Sequence, residues 1–425
     1  MVPGNRLMKR RDALCGMASA AALFGLTPAQ AAGTAPPLPN EKLHDRDREK
    51  YWARIRNDQF LLPGWRAFLN NGSLGVAPRP VLNAVAQFLE RSAALMIEEY
   101  PRWGYETLDE HRAEVAGFLG CAKDELALTH NATEAMSIIA GGLDLKPGDE
   151  VLITDQEHPS GRCCWQMRQQ RHGVPLREVA LPLPPKSPGQ LADILVSAIG
   201  PRTRVLSFSG ITSPTGLILP VREICDAARA KGILTVVDGA HMNGQIPLRL
   251  SELGCDYYAG SPHKWLFAPA GCGILWMREE LIGRHWPAVV TGRWDDPAAK
   301  AARFMMVGTN NRAVFEGLIA GVRFARQIGP ERIYARIHEL ARLIRRKAAR
   351  YPYLELLTPE DERMYGSMVT IVFKDRDPAP LHELCRKKKI WTTGAKRLRL
   401  SAHIHTRPSD IDLFFDTMEE ALGRS

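Results

Sequence analysis

The chain has 425 residues, of which 45% are hydrophobic and 24% are charged. This length is enough for one large core and a second, smaller domain. The net charge of +9 suits anionic ligands, but the sequence has no basic stripe with interleaved aromatic residues. We therefore expect no nucleic-acid partner.

The first 31 residues have the pattern of an export signal. Arg10 and Arg11 precede an apolar, alanine-rich run over residues 13–26, and a small-residue cleavage pattern, AQA, ends at Ala31. The run is too short to span a bilayer as a stable helix. Paired arginines before a weakly hydrophobic run predict recognition by the twin-arginine export machinery, cleavage near Ala31 and a periplasmic location. A disordered basic N-terminus is the alternative.

The remaining residues are predicted to form a linker and N-terminal helix (32–62), a large domain (63–330) and a small C-terminal α/β domain (331–425). From residue 125 onward, apolar runs alternate with helical stretches. This predicts an α/β fold with a mostly parallel, seven-stranded sheet flanked by helices. The seven runs are 126–129, 151–154, 176–179, 205–208, 234–237, 257–259 and 273–276. In the small domain, strands are expected at 368–373 and 396–400, and helices at 380–389 and 409–422.

Two segments in the middle of the chain carry residues suited to one cofactor. The apolar run TVVD ends at Asp238, and Lys264 follows about two dozen residues later within the sequence SPHK. Pyridoxal phosphate chemistry requires such a pair, because the lysine amine binds the cofactor covalently and the acid keeps the pyridine nitrogen protonated. Taken singly, Asp238 is typical of a turn residue and Lys264 of a surface lysine.

A third segment, THNATEA at residues 129–135, follows an apolar run and begins a helix. The first N–H groups of a helix are unpaired and lie at the positive end of its dipole, so they bind phosphate readily. Ala132 and Thr133 fall at this helix start, and the Thr133 hydroxyl can add a donor. An N-capping role for Thr133 is the alternative.

Together these segments resemble the class V aminotransferase group of fold-type I pyridoxal phosphate enzymes, over roughly residues 50–420. His241 stands where cysteine desulfurases usually have glutamine, so the isopenicillin-N-epimerase-like branch is the closest match. The resemblance implies that Lys264 binds the cofactor and serves as general acid–base. It also implies that Asp238 pairs with the pyridine nitrogen and that the active unit is a homodimer.

The resemblance assigns further cofactor contacts. His158 matches the histidine that stacks on the pyridine ring and is expected to take part in catalysis. Ser261 and His263 match positions that bind the phosphate. Thr309 lies in a segment, VGTN, that resembles one reaching the phosphate of the neighbouring subunit.

The 3-oxygen of the cofactor is expected to face His241. Relatives often carry an asparagine that also contacts this oxygen, whereas this chain offers Thr212 or Ser213 at the corresponding turn. The sequence does not choose between the two.

Substrate contacts are implied in two places. Asn70 and Asn71 lie in a polar loop that matches one reaching into the active site, with a simple turn as the alternative. Arg399 matches the arginine of an Arg-x-Ser motif that binds the substrate α-carboxylate through its planar guanidinium. Arg397 lies on the same strand face and is a weaker alternative for this role.

Two segments of the small domain differ from the sequences usual in this family. The sequence HIHT at residues 403–406 replaces the usual His-Ile-Tyr-Asn-Thr. A metal site at His403 and His405 is not favoured, because no cysteine or carboxylate partner is near in sequence. No cysteine occurs in residues 390–398, where desulfurases carry their nucleophile, and Cys385 belongs to the preceding helix, so cysteine desulfuration is disfavoured.

These features predict an exported enzyme that acts at the α-carbon or amino group of an amino acid, free or peptide-linked, by aminotransfer, epimerisation or lysis. Tailoring of a secreted peptide such as a siderophore is one task that the resemblance suggests. A catalytically decayed protein that only binds the cofactor is the alternative. The aromatic segment at residues 100–105 is expected either to line the pocket or to pack in the core.

Overall fold

The computed structural model describes residues 35–95 and 108–423. The expected export signal and the aromatic segment at residues 100–105 lie outside these residues. No helix in the described ranges is both long and apolar enough to cross a membrane.

Helices and strands alternate along most of the chain. The helices are α1 (Glu41–Arg46), α2 (Arg48–Gln59), α3 (Arg79–Ala94), α4 (Asp109–Leu119), α5 (Ala132–Gly142), α6 (Pro159–His172), α7 (Pro188–Ser197), α8 (Val221–Ala230), α9 (Pro262–Trp265), α10 (Glu279–Ile282), α11 (Ala313–Ile328), α12 (Pro330–Ala348), α13 (Ala379–Lys387) and α14 (Pro408–Leu422). The strands are β1 (Ala67–Phe68), β2 (Leu126–Thr129), β3 (Glu150–Thr154), β4 (Leu176–Val179), β5 (Thr203–Ser209), β6 (Leu234–Asp238), β7 (Tyr257–Gly260), β8 (Gly273–Met277), β9 (Leu354–Leu356), β10 (Met368–Phe373), β11 (Ile390–Trp391), β12 (Thr393–Gly394) and β13 (Arg397–Ser401).

The large sheet has seven strands in the order β2-β8-β7-β6-β5-β3-β4. Strand β8 runs antiparallel to both neighbours, and the other adjacent pairs are parallel, which confirms the mostly parallel sheet. Strands β2, β3, β7 and β8 are buried at every residue, because helices and loops cover both faces. Ligands of such sheets bind beyond the carboxyl ends of the parallel strands.

The small sheet has four antiparallel strands in the order β12-β13-β10-β9 and packs with α12 and α14 around a second core. Strand β1 joins this core from far upstream, since it pairs in parallel with β11. Ala67 and Leu69 are fully buried there, and Asn70 forms a bridge with Ser401. The loop that follows β1 is therefore held between the two sheets.

The N-terminal region forms two helices, α1 and α2, and α2 contacts both other parts of the protein. Asp47 ends α1 and caps α2 by accepting a hydrogen bond from the Lys50 N–H at 2.9 Å. On α2, the buried Arg56 donates to the carbonyl oxygens of Arg66 and His405 and lies 3.7 Å from the Asp410 carboxylate of α14. This guanidinium therefore satisfies polar groups from three separate segments.

Replacing Arg56 with methionine is expected to lower the free energy of unfolding by on the order of 3 kcal/mol. The carbonyl oxygens of Pro63, Arg66 and His405 and the Asp410 carboxylate would lose this buried partner. Arg54→Met is the matched control on the same helix, since Arg54 is exposed and pairs, among the described residues, with Asp58 at 3.6 Å. That control should change the free energy by less than about 0.5 kcal/mol. Urea unfolding of both variants measures the difference, and equal small losses would contradict the role of Arg56.

Candidate active site

A cavity of about 450 Å³ lies beyond the carboxyl ends of the central strands. It brings together most of the residues that the sequence singled out. These residues are Ala132, Thr133, His158, Ser213, Asp238, His241, Ser261, His263, Lys264 and Arg399. The described residues that line the cavity therefore combine one carboxylate, two cationic side chains, four imidazoles (His130 is the fourth) and a helix N-terminus.

Asp238 is the last residue of β6, which carries its carboxylate to the sheet edge. Its Oδ1 atom accepts a hydrogen bond from the Ala240 N–H at 2.9 Å. A Cβ atom at Gly161 on α6 would lie only 3.1 Å from Oδ2, so the missing side chain there keeps this oxygen accessible. The carboxylate is thus fixed through one oxygen and presents the other to the cavity.

Lys264 lies on the one-turn helix α9 and turns its amine into the same cavity. Burial lowers the pKa of this amine to about 8, and the nearby Asp238 carboxylate offsets only part of that effect. The loop after β1 fixes the backbone at this point, since Asn71 Nδ2 donates to the Lys264 carbonyl oxygen at 2.8 Å. Gly75 packs against the same oxygen, and a Cβ atom at Gly75 would overlap it.

His241 has its two ring nitrogens in different environments. The indole N–H of Trp265 donates to Nδ1 at 3.2 Å, and Nε2 lies 3.1 Å from the Lys264 amine. Burial and the nearby Lys264 charge hold the pKa of His241 well below its usual value, so the ring is neutral. An indole can only donate, so Nδ1 is the bare nitrogen and Nε2 carries the proton. His241 therefore donates towards Lys264 and favours the neutral amine.

His158 caps the N-terminus of α6. Its Nδ1 atom accepts the Ser160 N–H at 3.1 Å, which leaves Nε2 as the protonated nitrogen of the neutral ring. Burial, followed by the positive charge of Lys264, lowers the pKa of this imidazole. The ring lines the cavity as the resemblance implies, and its stacking on a cofactor stays a prediction.

The part of the cavity formed by the start of α5, Ser261 and His263 is suited to an anion. Helix α5 begins at Ala132, whose N–H donates to the Ser261 hydroxyl at 3.1 Å, and the exposed Thr133 follows it. The Nδ1–H of His263 donates to the Cys272 carbonyl oxygen at 2.9 Å, so the neutral ring turns a bare Nε2 to the cavity. His263 can donate to a phosphate only when protonated, which the negative charge of a phosphate favours.

The turn after β5 places Thr212 and Ser213 in different environments. The Thr212 hydroxyl is buried inside the turn, where it contacts the Thr215 hydroxyl at 2.6 Å and accepts the Leu217 N–H at 2.9 Å. Ser213 lines the cavity, and its carbonyl oxygen accepts a hydrogen bond from Arg399. Of the two residues, Ser213 is the one placed to meet a ligand.

Arg399 lines the cavity beside the loop that follows β1. One Nη atom donates to the Ser213 carbonyl oxygen, and the other donates to the Ser73 hydroxyl at 3.2 Å. Burial lowers the pKa of the guanidinium to about 10, so it remains charged at neutral pH. Its buried Nε atom has no hydrogen-bond partner among the described residues, which leaves donor capacity for a ligand carboxylate.

Three of the residues singled out in the sequence lie outside this cavity. Asn70 accepts a hydrogen bond from the Ser73 hydroxyl at 2.8 Å, and Asn71 bridges the Lys264 carbonyl oxygen and His405. Their loop instead presents Gly72 and Ser73 to the cavity, so the asparagines fix the loop and substrate contact through them stays a prediction. Thr309 is exposed, and its contact with a neighbouring subunit likewise stays a prediction.

The departure at residues 403–406 has a structural explanation. His403 and His405 are both buried and their rings stack with centroids 5.6 Å apart. His403 Nε2 pairs with the Trp265 carbonyl oxygen at 3.2 Å, and His405 Nε2 pairs with Asn71 Oδ1 at the same distance. The described residues contain no group of three or more potential metal-ligating side chains. Both rings therefore support the backbone behind Lys264.

Glu157 is a second acid near Asp238 that the sequence reasoning missed. Its carboxyl oxygens accept hydrogen bonds from the hydroxyls of Thr154 and Ser209 at 2.5 and 2.6 Å. Burial raises its pKa to about 7, and the charge of Asp238 adds to the effect. Its position just before His158 in a polar turn was the available signal. The sequence reasoning also missed Trp265, although its position next to Lys264 could have indicated a role in the site.

Trp265→Phe is expected to raise the pKa of Lys264 above 8 by about one unit. Without the indole N–H, His241 can carry its proton on Nδ1 and accept a hydrogen bond from the lysine ammonium, which stabilises the charged form. The pH dependence of amine labelling at Lys264 in the cofactor-free protein measures this pKa.

Trp276→Phe is the matched control, because its indole N–H instead donates to Glu125 at 3.2 Å. This control should leave the labelling midpoint of Lys264 near that of the unmodified protein. An unchanged midpoint in Trp265→Phe would show that the indole does not set the state of His241.

The sequence is similar to those of known proteins. Residues 68–405 match the Aminotransferase class-V family. The isopenicillin N epimerase of Streptomyces clavuligerus is 35% identical over 393 residues, which cover 88% of this chain and 98% of that protein. A probable cysteine desulfurase 2 of Mycobacterium leprae is 29% identical over 328 residues, covering 72% of this chain and 76% of that protein.

Solved structures show the same fold. The cysteine desulfurase CsdA of Escherichia coli superposes with a TM-score of 0.76 at 23% identity, covering 87% of this chain and 98% of that one. The cavity fits pyridoxal phosphate, since Asp238, Lys264 and the start of α5 meet in it and Arg399 keeps a free buried donor beside them. The chain belongs to the class V aminotransferase family and is a pyridoxal-phosphate-dependent enzyme with its fold-type I architecture.

Proposed function

We propose that this enzyme is exported and acts at the α-carbon of an amino acid or a peptide-linked amino acid. The observation that carries the proposal is that Asp238, Lys264 and Arg399 line one cavity. They supply a partner for the pyridine nitrogen, an amine for covalent attachment and a guanidinium that binds the substrate α-carboxylate. Because Arg399 and Lys264 line the same cavity, we expect a substrate held by Arg399 to place its α-carbon near Lys264.

Each side chain has a distinct task in such a reaction. Bound pyridoxal phosphate supplies an electron sink that weakens the bonds at the substrate α-carbon. Lys264 accepts and returns a proton there, because a pKa of about 8 makes both its charged and neutral forms accessible near neutral pH. Asp238 keeps the proton on the ring nitrogen, and the His241 Nε2–H favours the neutral form of Lys264.

Epimerisation is the reaction type that we favour over aminotransfer and lysis. The similarity to the isopenicillin N epimerase extends over 98% of that protein, which supports this choice. A reversible proton transfer at the α-carbon needs no second substrate, and Lys264 is suited to it.

Cysteine desulfuration is disfavoured, although relatives with that name are among the similar proteins. Residues 390–398 contain no cysteine. Cys385 lies on α13, where burial raises the pKa of its thiol to about 11. A thiol with that pKa is almost wholly protonated at neutral pH and is a weak nucleophile.

The export proposal depends on the paired arginines and the apolar run before Ala31. An exported enzyme of this type would act on a substrate made or matured in the periplasm, such as a secreted siderophore peptide. We also infer a homodimer in which Thr309 reaches the neighbouring cofactor phosphate. The alternative of a decayed cofactor-binding module is less consistent with the complete set of Asp238, Lys264 and Arg399.

Lys264→Ala is expected to abolish the visible absorbance of the covalently bound cofactor, because no other lysine lines the cavity among the described residues. Lys146→Ala, which removes an exposed lysine, should keep the absorbance and serves as the matched control. Absorbance spectra before and after borohydride reduction measure the covalent link. A borohydride-reducible link that persists in Lys264→Ala would refute the assignment.

A further inference from the structure

A second cavity of about 330 Å³ adjoins the active-site cavity. The two cavities share walls formed by Ser73, His158, Ser213 and Arg399. The second cavity extends away from Lys264 to the hairpin of β12 and β13. A substrate held by Arg399 can therefore extend its side chain into this second space.

Arg397 lines the second cavity and is exposed to solvent. It is two residues from Arg399 on β13, so both side chains leave the same face of the strand. Two steps along a strand separate their Cα atoms by roughly 6–7 Å. Arg399 is buried and Arg397 is exposed, so the two guanidiniums lie at different depths along one path.

Arg397 also differs from Arg399 in its partners. Arg399 donates to Ser213 and Ser73, whereas no hydrogen bond or ion pair joins the Arg397 side chain to any residue in 35–95 or 108–423. A guanidinium presents five N–H donors in a planar fork that matches a carboxylate. The donors of Arg397 are thus available to a ligand in the cavity.

The walls of the second cavity give Arg397 no ion-pair partner among the described residues. Glu157 is the one acidic residue among the described lining residues. Hydroxyls of Thr154 and Ser209 occupy its oxygens, and burial raises its pKa to about 7. The outer cavity is therefore positive and attracts anions.

We propose that Arg397 binds a second carboxylate of the substrate, which makes the enzyme selective for dicarboxylic amino acids. The proposal rests on the function inferred above, in which Arg399 binds the α-carboxylate. The proposal gives Arg399 and Arg397 different roles, whereas the sequence left them as alternatives for binding the α-carboxylate. The expected separation of the carboxylates corresponds to roughly two or three methylene groups.

Binding of simple carboxylates to the cofactor-loaded protein tests this proposal without any reaction. Glutarate and pentanoate have the same chain length and no amino group, so they differ only in the second carboxylate. We expect glutarate to bind about tenfold more tightly than pentanoate, which corresponds to about 1.4 kcal/mol. Calorimetric titrations at low ionic strength, where screening is weak, measure both affinities.

Arg397→Gln should reduce this ratio to near one. Lys396→Gln is the matched control, because Lys396 is the exposed neighbour on β13's N-terminal side and lines a separate surface depression. This control removes the same charge and should keep the tenfold ratio. A ratio that is unchanged in Arg397→Gln, or that falls equally in Lys396→Gln, would overturn the proposal, as would equal affinities in the unmodified enzyme.

The same samples separate this inference from the proposed function. Visible absorbance of the bound cofactor that responds to amino acids reports on the function, and the glutarate-to-pentanoate ratio reports on Arg397. A response to amino acids with no effect of Arg397→Gln would remove only the second-carboxylate proposal. If the absorbance of the unmodified enzyme does not respond to any amino acid, the proposed function itself is refuted.

Discussion

The site depends on holding the Lys264 amine in a buried position beside an acid. Burial disfavours the ammonium form, and the single carboxylate of Asp238 recovers only part of that cost, so the pKa falls to about 8. The Trp265 indole reinforces this through His241, whose proton it confines to the nitrogen facing the lysine. The amine is consequently both nucleophilic and able to exchange protons near neutral pH.

The fold delivers these groups by bringing strand ends together. Ser209 and Asp238 are paired neighbours at the ends of β5 and β6, and β7 leads directly into the short helix that carries Lys264. The loop after β1 then closes the site from the side of the small sheet. Asn71 and Gly75 fix the backbone of α9, while Gly72 and Ser73 line the cavity next to Arg399. Contacts between the two cores therefore shape the substrate side of the site.

Much of the large domain could be predicted from sequence because most of its strands are buried on both faces and read as apolar runs. All seven runs correspond to strands of the sheet. Strands β1, β11 and β12 could not be predicted, because each has two residues and forms only through pairing with distant segments. Motif matching located Asp238 and Lys264, but a polar loop gives no indication of which residue faces inward. The sequence predicts substrate contact through Asn70 and Asn71, whereas Gly72 and Ser73 of the same loop line the cavity. Trp265 and Glu157 act through contacts that exist only in the folded chain.

The most direct test is the absorbance spectrum of the purified enzyme, recorded before and after adding L- and D-amino acids one at a time. The account predicts a visible band that shifts with particular amino acids. With an epimerisable substrate, the original band should be restored and the opposite enantiomer should accumulate. Absence of a visible band after addition of pyridoxal phosphate would contradict the central claim that the Lys264 amine binds the cofactor.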